Sequence, residues 1–466
     1  MLRPTRVIQG GMGVGVSLSP LAKAVSLAGG LGTVSGVAGD LLLARSLQNG
    51  DPGGHFRRAL GQFPFPRMAK LVLEKYFVSG GIEGSTYRSV PMFTVHPNDL
   101  LIALTVCASF ALVYLAKEGH SNPVSFNCLE KVQMPLIYYF VGAMLADVDV
   151  ITMGAGIPTQ VPGVLDTIAS GGSPKYRVQV AGSKEGVVVM SFDPGKFFGE
   201  KIPELRRPDF LPIVSSNVLA ELLLARATGS IEGFVVETPV AGGHNAPPRG
   251  KEVLNEADEP VYGPRDQVDF EKLRALGKPF WVGGAHASPE GLALAQAKGA
   301  VGIQAGSIFA LCEESGLEPS FRQQIRALGY RGELSVRTDR HASPTGFPFK
   351  VVELAGTMSD ARIYESRPRV CDLSALVTPY VRPDGEIGFR CASEPISLFV
   401  EKGGKAAITA GARCLCNGLL AATGLGSPGE PPIFTLGDDT SFLRSLMKGE
   451  AGSYTAAAAL DYLQKA

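Results

Sequence analysis

Along this chain, short apolar runs that end on Gly or a polar residue alternate with stretches whose apolar positions recur at helical spacing. The pattern predicts eight strands, at Arg6–Gln9, Gly32–Ser35, Val124–Asn127, Val150–Met153, Leu211–Ser215, Gly233–Glu237, Phe280–Gly283 and Gly302–Ala305. Helices are predicted between them at Pro20–Ala28, Asp99–Lys117, Pro135–Ala146, Val161–Ser170, Val218–Thr228, Phe270–Leu276 and Pro289–Lys298. Eight strands with intervening helices is the arithmetic of an α/β fold of the (β/α)8 TIM barrel type. A doubly wound open sheet would carry its phosphate-binding glycine loop after the first strand only. Here glycine clusters follow the first, fourth, sixth, seventh and eighth strands, as expected where many strand ends surround one ligand.

Three stretches break the alternation. Residues 37–97 hold helical pieces punctuated by Pro and Gly, including His55–Arg58 and Met68–Phe77, and Tyr176–Met190 reads as an inserted hairpin. From Glu318 onward Pro, Gly and Cys are scattered without strand–helix alternation. The expected organisation is therefore a barrel of residues 1–36 and 98–317, a helical insertion over 37–97 and an appendage over 318–466 covering the barrel mouth, where additions commonly set substrate choice. The uncharged stretch Leu100–Ala116 is seventeen residues, just short of a usual span of ~20. Asn98 or Asp99 can cap its start and Gly119 its end, so a buried helix is expected and no transmembrane segment.

Charge narrows the partners. With 44 basic and 44 acidic residues and no long run of either sign, nothing steers the chain toward nucleic acid or acidic lipid, and a small molecule is the expected partner. The 57 glycines suit many strand-end turns and close cofactor contacts. The N-terminus offers no secretory h-region, and seven cysteines, an odd number thinly spread, suit a reducing, cytoplasmic setting.

The chemistry is expected at Ala241-Gly242-Gly243-His244, directly after the apolar run Gly233–Glu237. Glycines at a strand end let backbone approach a flat cofactor, and a His just beyond is held where it can transfer a proton to a bound ligand. The first strand and turn read Val7-Ile8-Gln9-Gly10-Gly11-Met12-Gly13, the second element closes on Ala28-Gly29-Gly30-Leu31-Gly32, and the eighth reads Gly302-Ile303-Gln304-Ala305-Gly306-Ser307-Ile308-Phe309. With Glu237 and Ala241–His244, this set resembles the nitronate monooxygenase (2-nitropropane dioxygenase) family, which includes the flavin-dependent enoyl-ACP reductases. The resemblance runs over about residues 6–36 and 120–315 in matching order.

That resemblance implies an FMN-binding (β/α)8 barrel. It implies that Gly284, Gln304, Gly306 and Ser307 hold the phosphate end and that Gly10, Gly11 and Met12 lie along the flavin ring. Asn127 would hydrogen-bond the ring system, Glu237, Gly243 and Gly283 would complete the cofactor site, and His244 would be catalytic. The implied activity is oxidation of nitronates or nitroalkanes with O2. The alternatives are an NAD(P)H-dependent enoyl-thioester reductase and a non-catalytic flavin-binding partner protein; a homodimer stays open as the assembly.

The chain departs from the family pattern in places. Strand seven continues Gly283-Gly284-Ala285-His286, adding an imidazole, and Val240 stands where the reductase branch often has a carboxylate. Arg249, just beyond His244, is a candidate for an anionic substrate group, and His341 for the pocket wall. His55, His96 and His120 have no His, Asp or Glu at metal-ligand spacing. Cys371, Cys391, Cys414 and Cys416 lack paired CxxC knuckles, so no metal is expected and buried thiols are the reading.

Overall fold

The computed structural model describes residues 5–465. Eight parallel strands form one sheet: β1 (Val7–Gln9), β2 (Gly32–Ser35), β3 (Val124–Leu129), β4 (Val150–Gly154), β5 (Asp209–Val214), β6 (Phe234–Glu237), β7 (Phe280–Gly283) and β8 (Gly302–Ala305). Each pairs in parallel with the next, and β8 pairs with β1. Gln9 N donates to Leu31 O and Leu31 N to Val7 O, each at 3.0 Å, which closes β1 onto β2. The fold is a (β/α)8 barrel, with all eight predicted strands in place.

Period-two alternation decides what each face of a strand meets. Val7, Phe126, Phe210, Phe234, Val236, Phe280, Val282 and Ile303 point outward into the helix layer. Ile8, Leu31, Val150, Leu211, Val235 and Trp281 form a separate apolar plug inside the barrel, with Trp281 Nε1 donating to Thr5 O at 2.7 Å. Two residues further along the same inward rows stand Gly10, Glu237 and Gly283. The plug thus fills one end, and the inward positions at the strand C-terminal ends are left for a site.

Seven helices follow the prediction within one or two residues: Ser19–Leu27, Asp99–Lys117, Leu136–Leu145, Val161–Ala169, Asn217–Arg226, Phe270–Ala275 and Pro289–Ala297. The eighth place in the ring is filled from far along the chain, because only the four-residue Ser307–Ala310 helix follows β8. Helix Ala456–Leu463 packs between Ser19–Leu27 and Pro289–Ala297 instead. Tyr454 anchors it, its hydroxyl donating to Ile308 O at 2.7 Å.

Asp99–Lys117 is long and apolar enough to cross a membrane by composition, yet fifteen of its nineteen residues are buried in the protein itself. It packs on Leu136–Leu145 and on the inserted helices Gly39–Gln48 and Pro66–Tyr76. Gly142 permits the first contact, since a Cβ there would lie 2.1 Å from Val106 O. The other insertion is an antiparallel hairpin, Lys175–Gln179 with Val187–Ser191, as its alternating pattern predicts.

Beyond residue 318 come the helix Pro319–Arg331, the hairpins Val336–Asp339/Phe349–Val352 and Thr378–Val381/Ile387–Arg390, and the helix Leu415–Ala421. A buried ion pair ties them together. Arg413 Nη1 donates to Asp339 Oδ2 at 2.6 Å, while Asp339 Oδ1 accepts from His341 N at 2.8 Å and Ala342 N at 3.0 Å. The turn carrying residues 341–345 is fixed by this carboxylate.

Candidate active site

A cavity of about 250 Å³ opens at the C-terminal ends of the strands, and His244, Gly10, Gly11, Met12, Asn127, Glu237, Gly243, Gly283, Gly284, Gln304, Gly306 and Ser307 all line it. One half of its wall is strand-end backbone. A Cβ on Gly243 (φ +83°) would meet nothing within 4 Å, and one on Gly306 would meet only Met12, its sulfur at 3.6 Å. The Gly10–Met12 loop is pinned from behind by Ser17, whose Oγ accepts from Met12 N at 2.9 Å and donates to Gly10 O at 3.0 Å. Gln9 Nε2 donates to Ser17 Oγ at 2.8 Å, and Gln9 Oε1 accepts from Thr33 N at 2.8 Å, locking the loop to β2.

The other half of the wall comes from residues beyond 318: Leu376, Leu415, Cys416, Leu419, Ile433 and Phe434 among them. Apart from Thr435 and Asp439, the side chains of this half are apolar. It leaves the polar groups few: Asn127 spends its amide hydrogen on Thr152 Oγ1 at 3.0 Å, keeping Oδ1 for the cavity, and Ser307 Oγ accepts from Gly437 N at 2.8 Å. His286 Nδ1 donates to Gly284 O, 2.5 Å away, which orients its ring at the cavity edge.

Burial sets the charge states. Glu237 is pushed up to about 7 by desolvation, with the Lys131 ammonium pulling in the opposite direction. His244 is driven well below the usual imidazole range by burial and then by Lys131, so it is neutral at neutral pH. Its Nε2 lies 2.7 Å from Ser343 Oγ, and its ring meets Phe349 edge-on at 4.9 Å. Lys131 itself is lowered to about 8 by burial, against the pull of Glu130 and Glu237; its Nζ sits 4.0 Å over the Phe347 ring and 3.4 Å from Thr345 Oγ1.

Two sequence expectations fail here. Arg249 is not among the residues lining the cavity: its guanidinium donates to Arg265 O at 2.8 Å and Ser215 O at 2.9 Å, and those carbonyls hold it. His341 is not among the lining residues either; it packs beside Gly411, and the same turn presents Ser343 to His244 instead. Lys131, Ser343, Thr345 and Phe349 were not picked out. Lys131 carried a signal all the same, a charge just past the end of a barrel strand.

The bare backbone wall fits a planar ring such as a flavin. Among the described residues no Lys or Arg lines the cavity, so a phosphate there would rest on backbone N–H groups and Ser307 rather than on a cation. Among the described residues no group of three or more His, Cys, Asp or Glu is arranged to hold a metal ion.

No protein-family model and no curated protein matches the chain. Among solved structures it is similar to FabK from Thermotoga maritima at 16% identity, covering 99% of this chain and 91% of that one with a TM-score of 0.48. A nitroalkane oxidase from Streptomyces ansochromogenes gives 13% identity, 99% and 94% coverage and a TM-score of 0.48. The enoyl reductase domain of MlnA from Bacillus amyloliquefaciens gives 12%, 78% and 68%, and 0.37. At these scores the likeness carries no argument; fold and chemistry rest on the sheet and cavity themselves.

Proposed function

We propose that the chain is an FMN-dependent oxidoreductase that oxidises nitronates or nitroalkanes with O2. The observation that carries the reading is His244, a half-buried neutral imidazole on a cavity walled on one side by strand-end backbone and on the other by side chains from beyond residue 318. FMN, when bound, supplies the electron acceptor. Gly10, Gly11 and Met12 would lie along its ring and Asn127 Oδ1 would accept from it. Gly284, Gln304, Gly306 and Ser307 would hold its phosphate end.

His244 is held neutral, so it can take the acidic proton next to a nitro group or orient the nitronate. Lys131 supplies the positive field that the sequence assigned to Arg249, and an anionic nitronate suits it. The test is anaerobic mixing of the purified yellow protein with propionate-3-nitronate or an alkyl nitronate. Loss of flavin absorbance, followed by O2 uptake in air, is the expected outcome. A colourless protein that takes up no FMN ends the reading.

One observation favours a second reading, an NAD(P)H-dependent enoyl-thioester reductase. A groove of about 750 Å³ adjoins the cavity through Val240 and His286, with Thr238, Tyr262, Phe270 and Lys298 among its walls. It has room for a second, extended substrate. In this reading His244 assists protonation of the reduced carbon. Rapid flavin reduction by NADPH, with reoxidation by a crotonyl thioester and not by nitronate, selects it.

A further inference from the structure

We propose that Lys131, Thr345 and Ser343 form a proton wire that feeds His244 from behind, making them positioning residues for its proton transfer. The proposal rests on the reading of His244 as the proton-transfer group, and it holds for either substrate class above.

Donor direction is fixed at one end. An ammonium can only donate, so Lys131 donates to Thr345 Oγ1, 3.4 Å away. Thr345 Oγ1 lies 2.8 Å from Ser343 Oγ, where either oxygen can donate, and Ser343 Oγ lies 2.7 Å from His244 Nε2. The wire uses Thr345 as donor to Ser343 and Ser343 as donor to Nε2, an arrangement in which Nε2 accepts and the imidazole hydrogen sits on Nδ1. That nitrogen has no protein partner among the described residues, and the ring lines the cavity.

Burial does not let this imidazole keep two protons. A proton arriving at Nε2 therefore obliges release of the one on Nδ1. The step balances as follows: the Nδ1–H bond breaks and a C–H bond forms on a carbanionic substrate carbon, while Ser343, Thr345 and Lys131 each pass one proton along. Lys131 ends as a neutral amine and regains its proton from water. Run backward, the same chain drains a proton taken from an acidic substrate carbon. The groups acting on Lys131 are Glu130, Glu237, Thr345 and the Phe347 ring; on His244 they are Lys131, Ser343 and Phe349.

The chain spans two parts of the sequence, with Lys131 just after β3 and the two hydroxyls on the turn held by Asp339. Among the described residues Lys131, half-buried, makes no ion pair with a carboxylate.

The test uses the flavin-loaded full chain labelled with 15N-histidine, which needs no substrate. The His244 Nε2 resonance is expected in the unprotonated, hydrogen-bond-accepting range and to shift as pH passes about 8, where Lys131 loses its proton. Lys131→Met removes that shift; Ser343→Ala removes it and moves Nε2 toward the free-nitrogen value. A Nε2 resonance indifferent to both substitutions overturns the wire. In turnover, Lys131→Met, Thr345→Val and Ser343→Ala are each expected to lower kcat about 10-fold or more with KM little changed. Methylammonium is expected to restore part of the rate in Lys131→Ala, and equal losses in kcat and KM would mark a merely structural role. If the resonances behave as expected and no substrate turns over, it is the functional reading that fails and not the wire.

Discussion

The two halves of the cavity are built differently. The barrel half is backbone, set by glycines and pinned loops at strand ends, and its geometry follows from short stretches of sequence. The half from beyond residue 318 is mostly side chain: largely apolar residues that exclude water, with the Ser343 hydroxyl behind His244 and Thr345 behind Ser343. The contrast divides the labour, with the barrel half suited to holding a flat cofactor and the other half to governing the proton chemistry of His244.

The sharpest way to break that division is to damage each half and read both cofactor and turnover. Gly306→Trp places a ring in open cavity space, where a Cβ meets only Met12, and is expected to abolish FMN binding in an otherwise folded protein. Absorbance of the purified protein and FMN release on denaturation check it. His244→Ala is the next largest effect: turnover falls ~10²–10⁴-fold with flavin retained, as for loss of a general base or acid. Flavin titration beside steady-state rates separates the two outcomes. If the His244 variant also loses flavin, the imidazole belongs to the cofactor half and the division fails.

The same division explains what could be read from the sequence. Strands such as Phe234–Glu237 and Phe280–Gly283 announce themselves because apolar runs end on Gly or a polar residue, and the cradle glycines lie within a few residues of those ends. The groups behind His244 were hidden because contact with it depends on long-range packing: Ser343 is 99 residues away and is aimed by Asp339, itself held by Arg413. Arg249 misled because nearness in sequence is not nearness in a loop whose guanidinium finds carbonyls first. Helix Ala456–Leu463 was invisible as a ring helix for the same reason, its place being set by contacts with Ser19–Leu27 and Pro289–Ala297.

A third prediction loosens only the second half. Asp339 and Arg413 are each 8% exposed, and Arg413→Met leaves the buried carboxylate with Arg337, 3.0 Å away, as its one remaining cation, a change expected to cost up to about 3–5 kcal/mol. Burial pushes Asp339 up, but Arg413, the His341 amide and Arg337 together hold it below its ordinary 3.8. A depressed carboxyl stabilises the fold above its unfolded-state value and loses that contribution as pH falls through the folded one. The wild-type turn at 341–345 is therefore expected to loosen only in acid below about pH 4, while in Arg413→Met it is loose already at neutral pH. Amide exchange at His341 and Ala342 measures this, and protection unchanged by the substitution would count against the assigned role.

The smallest expected effect couples the two halves. Glu237 belongs to the barrel, yet its carboxyl is raised to about 7 by burial in a cavity whose dry wall comes from beyond residue 318. A raised carboxyl favours the folded state most below the ordinary 4.5 and loses that advantage as pH rises through about 7. Glu237→Gln is therefore expected to remove a limb near pH 7 from the pH dependence of flavin binding or turnover, changing the rate only a few-fold, and to be relatively more stable than the wild type in base. In Arg413→Met, water admitted by the loosened wall is expected to move the same limb toward acid, because solvation lowers the cost of ionising Glu237. A pH series on wild type and both variants reads this directly. If the limb stays near 7 when the second half is loosened, the barrel alone sets the charge state of its carboxylate, and the two halves act independently.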